Sequence, residues 1–111
     1  FTPTRREELM LKFSELLEQY FRTERSVRFY ATRLCVTPKH LSAVVKEASG
    51  MTAGDWIDSK VILEAKMMLR NSDRTVQEIS IDLNFPNQSF FGKYFKHHTG
   101  YSPREWRGKM V

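Results

Sequence analysis

Apolar residues recur at spacings of three and four along most of the chain, which is the pattern of amphipathic α-helices. Two such stripes follow one another within residues 75–107. The first consists of Val76, Ile79 and Leu83, and the second of Phe91, Tyr94, Phe95 and His98. Only residues 84–87 separate the stripes, so the two helices must cross steeply, as they do in a helix-turn-helix unit.

The outer face of the second of these helices is polar and basic. No acidic residue occurs between Asn84 and Gly100. The outward positions are Gln88, Ser89, Gly92, Lys93, Lys96 and His97. Such a surface suits a polyanionic partner.

The chain opens with a predicted helix of balanced charge. Thr4 and Glu7 have the spacing of a capping box, which predicts a helix from there to about Phe21. Its expected buried stripe is Leu9, Phe13, Leu16, Leu17 and Tyr20. Residues 1–25 hold five basic and five acidic side chains, so this helix is interpreted as scaffold.

A second helix-turn-helix unit is predicted before the first one described. Ser26 starts a helix, residues 35–36 form a turn, and Thr37 with Pro38 starts a further helix. Gly50 ends it, since glycine commonly follows the last helical residue. The expected buried residues are Val27, Tyr30, Ala31, Leu34, Leu41, Val44, Val45 and Ala48.

The two units form an internal repeat. Four apolar or small positions match at an offset of 49, namely Val27, Ala31, Leu34 and Val36 with Val76, Ser80, Leu83 and Phe85. Six more match at an offset of 50, namely Leu41, Val45, Lys46, Gly50, Thr52 and Trp56 with Phe91, Phe95, Lys96, Gly100, Ser102 and Trp106. One extra residue therefore lies in the second turn.

A long helix is predicted to connect the two units. Residues 53–69 contain no helix breaker beyond Gly54 and would span roughly 26 Å. The predicted fold is all-α, with about seven helices and two helix-turn-helix subdomains. Residues 1–57 form the first helix and first unit, residues 53–70 the connecting helix, and residues 71–111 the second unit with a closing helix.

Composition narrows the class of partner. The formal net charge is +5 over 111 residues, and the whole excess lies after Arg25, which favours an anionic partner. The single cysteine, Cys35, excludes an intrachain disulfide and fits a reducing compartment. No apolar run approaches the ~20 residues of a membrane span, so a cytoplasmic protein without membrane contact is expected.

The second unit resembles the signature of AraC-type (AraC/XylS) transcription regulators. The residues that carry the resemblance are Ile79, Ser80, Phe85, Ser89, Phe91, Lys93, Phe95, Lys96, Gly100, Ser102, Pro103, Trp106 and Arg107. Asn84 stands where the family usually has Gly, and Ser80 where it usually has Ala. Both departures are mild, because Asn tolerates a left-handed turn conformation and Ser is nearly as small as Ala.

The resemblance implies a sequence-specific, double-stranded DNA-binding transcription regulator, most often an activator that recruits RNA polymerase. Two recognition helices would enter adjacent major grooves, and DNA would bend if the connecting helix held them too close. The implied base-contact residues are Lys39, Ser42, Ala43, Lys46, Gln88, Ser89, Gly92 and Lys93. The expected phosphate contacts are Thr37, His40, Asn87, Phe90, Lys96 and Arg107.

The chain starts with Phe1 rather than Met, so we expect the C-terminal DNA-binding part of a longer, nucleoid-associated regulator. An upstream domain would then bind any effector ligand. No catalytic residue, cofactor or metal site is predicted. Adjacent histidines on a helix, His97 and His98, are expected to point apart, and Cys35 is expected to be a small buried turn residue.

Two alternatives compete with this interpretation. A helical protein-interaction module would use the same grooves for a partner helix, although the outer faces lack the apolar anchors that such a groove needs. An enzyme is the weaker alternative, because no phosphate loop, paired carboxylates or catalytic triad can be placed. Taken singly, each lysine on these faces is also compatible with an ordinary solvated helix surface.

Overall fold

Seven α-helices account for most of residues 4–109, the part of the chain that this computed structural model describes. They are α1 (Arg5–Tyr20), α2 (Val27–Arg33), α3 (Pro38–Ser49), α4 (Ala53–Asn71), α5 (Val76–Asp82), α6 (Gln88–Thr99) and α7 (Pro103–Lys109). No strand occurs within residues 4–109. The predicted all-α fold is confirmed.

Reciprocal capping boxes with a glutamate start three of these helices, and Thr52 with Asp55 makes the same exchange at the start of α4. At α5 the Glu78 backbone N–H donates to Thr75 Oγ1 over 3.0 Å, and the Thr75 N–H donates to Glu78 Oε1 over 2.8 Å. The same exchange joins Thr4 to Glu7 and Ser102 to Glu105. The backbone N–H donors lower the pKa of each glutamate below its ordinary value, because they stabilise the carboxylate.

The chain forms two compact units that divide between Lys60 and Val61. The division falls inside α4, so this helix contributes residues to both units. It runs without interruption for 19 residues and ends one residue past the predicted end at position 70. No helix within residues 4–109 is long and apolar enough to cross a membrane.

In the first unit, α1, α2 and α3 pack around aromatic residues. The ring of Phe13 meets that of Tyr30 edge-on at 5.7 Å, and both side chains are fully buried. The buried hydrophobic residues of this unit are Phe13, Leu17, Phe21, Tyr30, Ala31, Leu41, Val44, Val45, Ala53 and Ile57. Ala48, which the periodicity predicted to be buried, is exposed, because a pocket lined by Leu11, Val44 and Ala48 stays open between α1 and the last turns of α3.

In the second unit, Phe85 anchors α5 against α6. Its ring lies 5.0 Å from that of Phe91 and 5.1 Å from that of Tyr94. The predicted burial of His98 is wrong, because this side chain is exposed. It lies in the last turn of α6, with its ring 4.7 Å from that of Tyr94. Burial of a polar ring without a hydrogen-bond partner is costly, which favours an exposed position.

The turn of each helix-turn-helix unit contains one residue in the left-handed conformation. Asn84 has φ of 58°, and Cys35, at the equivalent position of the first unit, also has φ of 58°. The expectation that Asn84 would tolerate this conformation is confirmed. The expected burial of Cys35 is wrong: its thiol is exposed, because the side chains that pack at this turn are its neighbours Leu34 and Val36, which are half-buried.

Candidate nucleic-acid interface

The start of α3 is fixed by its cap, and this determines which side chains face outward. The His40 N–H donates to Thr37 Oγ1 over 3.1 Å, and Pro38 occupies the first turn, as predicted. Burial of Leu41, Val44 and Val45 then orients the helix. The outward residues, called the α3 face below, are Lys39, Ser42, Ala43 and Lys46, of which only Ser42 is half-buried and the others are exposed.

The same construction repeats at α6. The Phe90 N–H donates to Asn87 Oδ1 over 2.8 Å, and Phe91 and Phe95 form the fully buried side. The outward residues, called the α6 face below, are Gln88, Ser89, Gly92 and Lys93. Lys96 is exposed one turn further on. The structure therefore leaves all eight predicted base-contact residues at least partly accessible to solvent.

The two faces share one frame but carry different chemistry. At the offset of 50 residues, Lys39 corresponds to Ser89, and Ala43 corresponds to Lys93. A lysine therefore lies in the first turn of α3, whereas α6 carries its first lysine one turn later. The two faces therefore present hydrogen-bond donors at different positions.

Gly92 has no role in the packing of its own unit. A Cβ atom added at this position would meet nothing within 4 Å, and no left-handed backbone conformation requires glycine there. The absence of a side chain instead leaves the backbone of α6 accessible in the middle of the α6 face. This suits close approach of another molecule.

Some of the predicted phosphate contacts are exposed, whereas the side chains of others already take part in hydrogen bonds within the chain. His40 and Lys96 are exposed, and Phe90 is 53% exposed, with its ring 6.3 Å from that of Phe85. The side-chain oxygens of Thr37 and Asn87 already accept the capping hydrogen bonds. These two residues contribute mainly by holding the positive ends of α3 and α6 in place.

The guanidinium of Arg107 makes hydrogen bonds within the chain that the sequence did not indicate. Its guanidinium is half-buried and donates to the carbonyl oxygens of Leu69 over 2.9 Å and of Arg74 over 2.7 Å. These bonds tie α7 to the segment that leads from α4 to α5. The guanidinium therefore positions the start of α5, and the phosphate contact of Arg107 stays a prediction.

Two further features were not foreseen from the sequence. A cavity of about 500 Å³ lies beside His40, between the start of α1 and the turn before α3.

The rings of His97 and His98 do not point apart as expected, because their centroids are 5.0 Å apart. No group of three or more potential metal ligands occurs among the described residues.

Comparison with known proteins identifies relatives that match most of the chain. A family model described as a helix-turn-helix domain matches residues 30–109. The arabinose operon regulatory protein of Salmonella typhimurium is 29% identical over 77 residues, which are 69% of this chain and 27% of that protein. The transcriptional activator RhaS of Escherichia fergusonii is 29% identical over 91 residues, which are 82% of this chain and 33% of that protein.

The fold has solved counterparts. The DNA-binding domain of AdpA, a global transcriptional factor whose crystal structure contains a target DNA, superposes with a TM-score of 0.79. It is 18% identical, and the match covers 90% of each chain. This structural likeness establishes the fold. The chain spans only about a quarter to a third of the length of the two sequence relatives above.

Proposed function

Because the chain belongs to the AraC-type family of helix-turn-helix transcription regulators, we propose that it binds double-stranded DNA sequence-specifically through the α3 and α6 faces. The observation that carries this proposal is the repeated pair of capped helices, each with one buried apolar side and one accessible polar side. α6 carries no acidic residue, so nothing on it repels a phosphate backbone.

The base contacts follow from the chemistry of the exposed side chains. Gln88 has the amide donor and acceptor that pair with adenine, and Lys93 has a donor for guanine in the major groove. Each such pair contributes about 1 to 3 kcal/mol of discrimination. Ser89, Lys39, Ser42 and Lys46 are further donors, whereas Ala43 and Gly92 offer apolar contact or close approach.

The phosphate contacts fix the register of the helices and carry no sequence information. We assign them to Lys96 and His40, to the capped N-termini of α3 and α6, and to the sugar-phosphate edge beside Phe90. Arg107 is left out of this set because its guanidinium is bonded to backbone carbonyls.

We extend the proposal to two adjacent major grooves. α4 is one helix of 19 residues, which corresponds to about 28 Å at 1.5 Å per residue. Adjacent grooves on one side of B-DNA lie about 34 Å apart. If the two recognition helices are held closer than this, DNA must bend toward the protein at a cost of about 1 to 6 kcal/mol.

The role in transcription rests on family membership alone. We propose a regulator, acting as an activator through RNA polymerase, whose effector would bind a domain outside this chain. A location in the cytoplasm, at the nucleoid, follows from that role. A protein-interaction module is the second candidate, but the α3 and α6 faces as defined above contain no large apolar side chain, and a groove for a partner helix needs several.

Selection of bound duplexes from a random pool by the unaltered chain tests this proposal. We expect two short motifs about 10 to 10.5 base pairs apart, centre to centre. One motif alone would mean that a single face reads bases. No enrichment, together with a shallow dependence of binding on salt, would overturn the proposal in favour of a protein partner.

A further inference from the structure

Four of the nine residues that line the cavity beside His40 have basic side chains. Arg5 and Lys12 approach it from α1, Arg33 from the end of α2, and His40 from the first turn of α3. One acidic residue, Glu8, also lines it. We call this the basic cavity; it holds three permanent cations against one carboxylate.

Among the described residues, Arg33 is held in place by aromatic side chains and has no acidic partner. Its Nη1 donates to the hydroxyl of Tyr20 over 3.1 Å. Its guanidinium also lies 4.9 Å from the ring centroids of both Tyr20 and Phe29. Such stacking fixes the direction of the group while leaving its positive charge uncompensated.

The other two cations form no salt bridge among the described residues, although Glu8 lines the same cavity. Within residues 4–109, neither Arg5 nor Lys12 forms a salt bridge, whereas the neighbouring Arg6 pairs with Glu47 on the other side of α1. Three unpaired cations that line one cavity repel each other, and an anion would relieve this repulsion. The arrangement is therefore suited to a ligand of negative charge.

The position of the cavity indicates which anion it receives. His40 belongs both to the cavity and to the first turn of α3, directly after Lys39 of the α3 face. A helix that enters the major groove is flanked by backbone phosphates on either side of that groove. Accordingly, we propose that the basic cavity holds the phosphodiester backbone of the DNA strand that flanks the groove entered by α3.

This inference rests on the proposed function and adds α1 to the DNA-binding surface. The net charge of the first 25 residues does not reveal this surface. Acidic and basic side chains are equal in number there, but they lie at different positions relative to the cavity. Glu8 is the one carboxylate that lines the cavity. The others on α1 either cap the helix, as Glu7 does, or lie elsewhere along it.

Salt dependence of binding tests the inference, because each phosphate contact contributes about 0.9 to the log-log slope. The Arg5→Gln/Lys12→Gln double variant should lower the magnitude of the slope by about 1 to 2. The control is Arg6→Gln/Arg22→Gln, which removes the same charge from basic residues that do not line the cavity. We expect the control to keep the slope within about 0.3 of the unaltered chain, as for side chains that contact no phosphate.

Removal of Glu8 tests the inference in the opposite direction. Glu8→Gln should tighten DNA binding about two- to fivefold at low salt, because a repulsive charge leaves the cavity. Glu15→Gln removes the same charge two turns further along α1, outside the cavity, and should change binding much less. A gain in affinity cannot arise from unfolding, so this pair of variants remains informative even if the double variant is unstable.

Cys35 supplies a positional test in the unaltered chain. It is the single cysteine, its thiol is exposed, and it lines the cavity. Selected duplexes that carry a thiol tether on one backbone phosphate should form a disulfide with Cys35 only when the tether flanks the α3 half-site. Equal cross-linking at all phosphates would overturn the inference.

The outcomes separate this inference from the function on which it rests. Normal DNA binding with equal slopes for the double variant and its control would overturn the phosphate site alone. Binding of inorganic phosphate by the free chain, unaffected by added duplex, would also overturn it, by assigning the cavity to a free anion. Absence of DNA binding by the unaltered chain would overturn both proposals.

Discussion

Some residues of the proposed interface are not explained by the packing of the fold. Gly92 lies in the middle of α6, where glycine destabilises a helix by about 0.5 to 1 kcal/mol relative to alanine. The space around a Cβ at this position is empty. Packing therefore does not explain the glycine, and we attribute it to the close approach of DNA that we propose.

We predict that Gly92→Ala has opposite effects on stability and on binding. It should raise the free energy of unfolding by about 0.5 to 1 kcal/mol, because it removes backbone freedom from the unfolded chain. It should also weaken binding to the selected duplex, because the methyl group intrudes at the closest approach. Urea unfolding and a duplex titration measure the two effects, and unchanged binding by the stabilised variant would contradict this role of Gly92.

The two tryptophans of the repeat provide a second contrast between matched residues. The indole N–H of Trp56 donates to Ser49 Oγ over 2.8 Å. The indole nitrogen of Trp106 is buried and has no hydrogen-bond partner among the described residues. Its ring instead packs 6.1 Å from that of Phe95, with Lys66 Nζ 4.8 Å from its centroid.

We therefore predict that Trp56→Phe destabilises the protein more than Trp106→Phe, by about 1 kcal/mol, the net contribution of one hydrogen bond. Both substitutions remove similar apolar area, so the comparison isolates the indole N–H. Urea unfolding followed by circular dichroism checks this, since each variant changes the tryptophan fluorescence. Equal losses in the two variants would show that the Trp56 bond contributes nothing net.

At the scale of helices, the capping boxes set the direction of each element and link stability to pH. Glu78 has its pKa lowered below the ordinary value, first by the backbone N–H of Thr75 and then by its side chain. A carboxyl whose pKa is lower in the folded state stabilises the protein above its unfolded pKa. That contribution is lost as the pH falls through the folded pKa.

We accordingly predict that Glu78→Gln lowers the melting temperature at pH 6 and that its difference from the unaltered chain shrinks as the pH falls below the ordinary pKa of 4.5. Glutamine keeps a hydrogen bond to the Thr75 N–H but has no charge to favour the start of α5. Thermal unfolding followed by circular dichroism measures the difference. Glu15→Gln is the control, because Glu15 lies mid-helix and caps nothing; a difference that stays constant down to pH 3 would contradict the linkage.

At the scale of the whole molecule, most of the fold could be predicted because its signals are local. Thr37, Pro38 and Gly50 mark the two ends of α3 by their own backbone preferences. The apolar stripe of α6 likewise identified Phe91 and Phe95 as buried and Lys93 as accessible. The second turn, with Asn84 in the left-handed conformation, followed from the tolerance of that side chain.

Features that depend on contacts distant in sequence could not be predicted in this way. Arg107 bonds to the carbonyl of Leu69, 38 residues earlier in the chain, and no periodicity signals such a contact. The basic cavity joins Arg5, Arg33 and His40 from three helices, so counting charges along the chain conceals it. Cys35 gave no signal of its left-handed backbone, because cysteine has no preference for that conformation.

We propose that the α6 face reads bases and does not merely attract the DNA backbone. A comparison of Lys93→Ala with Lys96→Ala, on the selected duplex and on duplexes changed one base pair at a time, distinguishes the two. Both variants remove one exposed lysine from α6, so they lower the net charge equally.

Lys93→Ala should relax discrimination at one base pair by about 1 to 3 kcal/mol and leave the other positions unchanged. Lys96→Ala should weaken all duplexes alike and reduce the magnitude of the salt slope by about 0.9. If Lys93→Ala instead weakens every duplex equally, α6 does not read bases through this lysine, and the proposed recognition is contradicted.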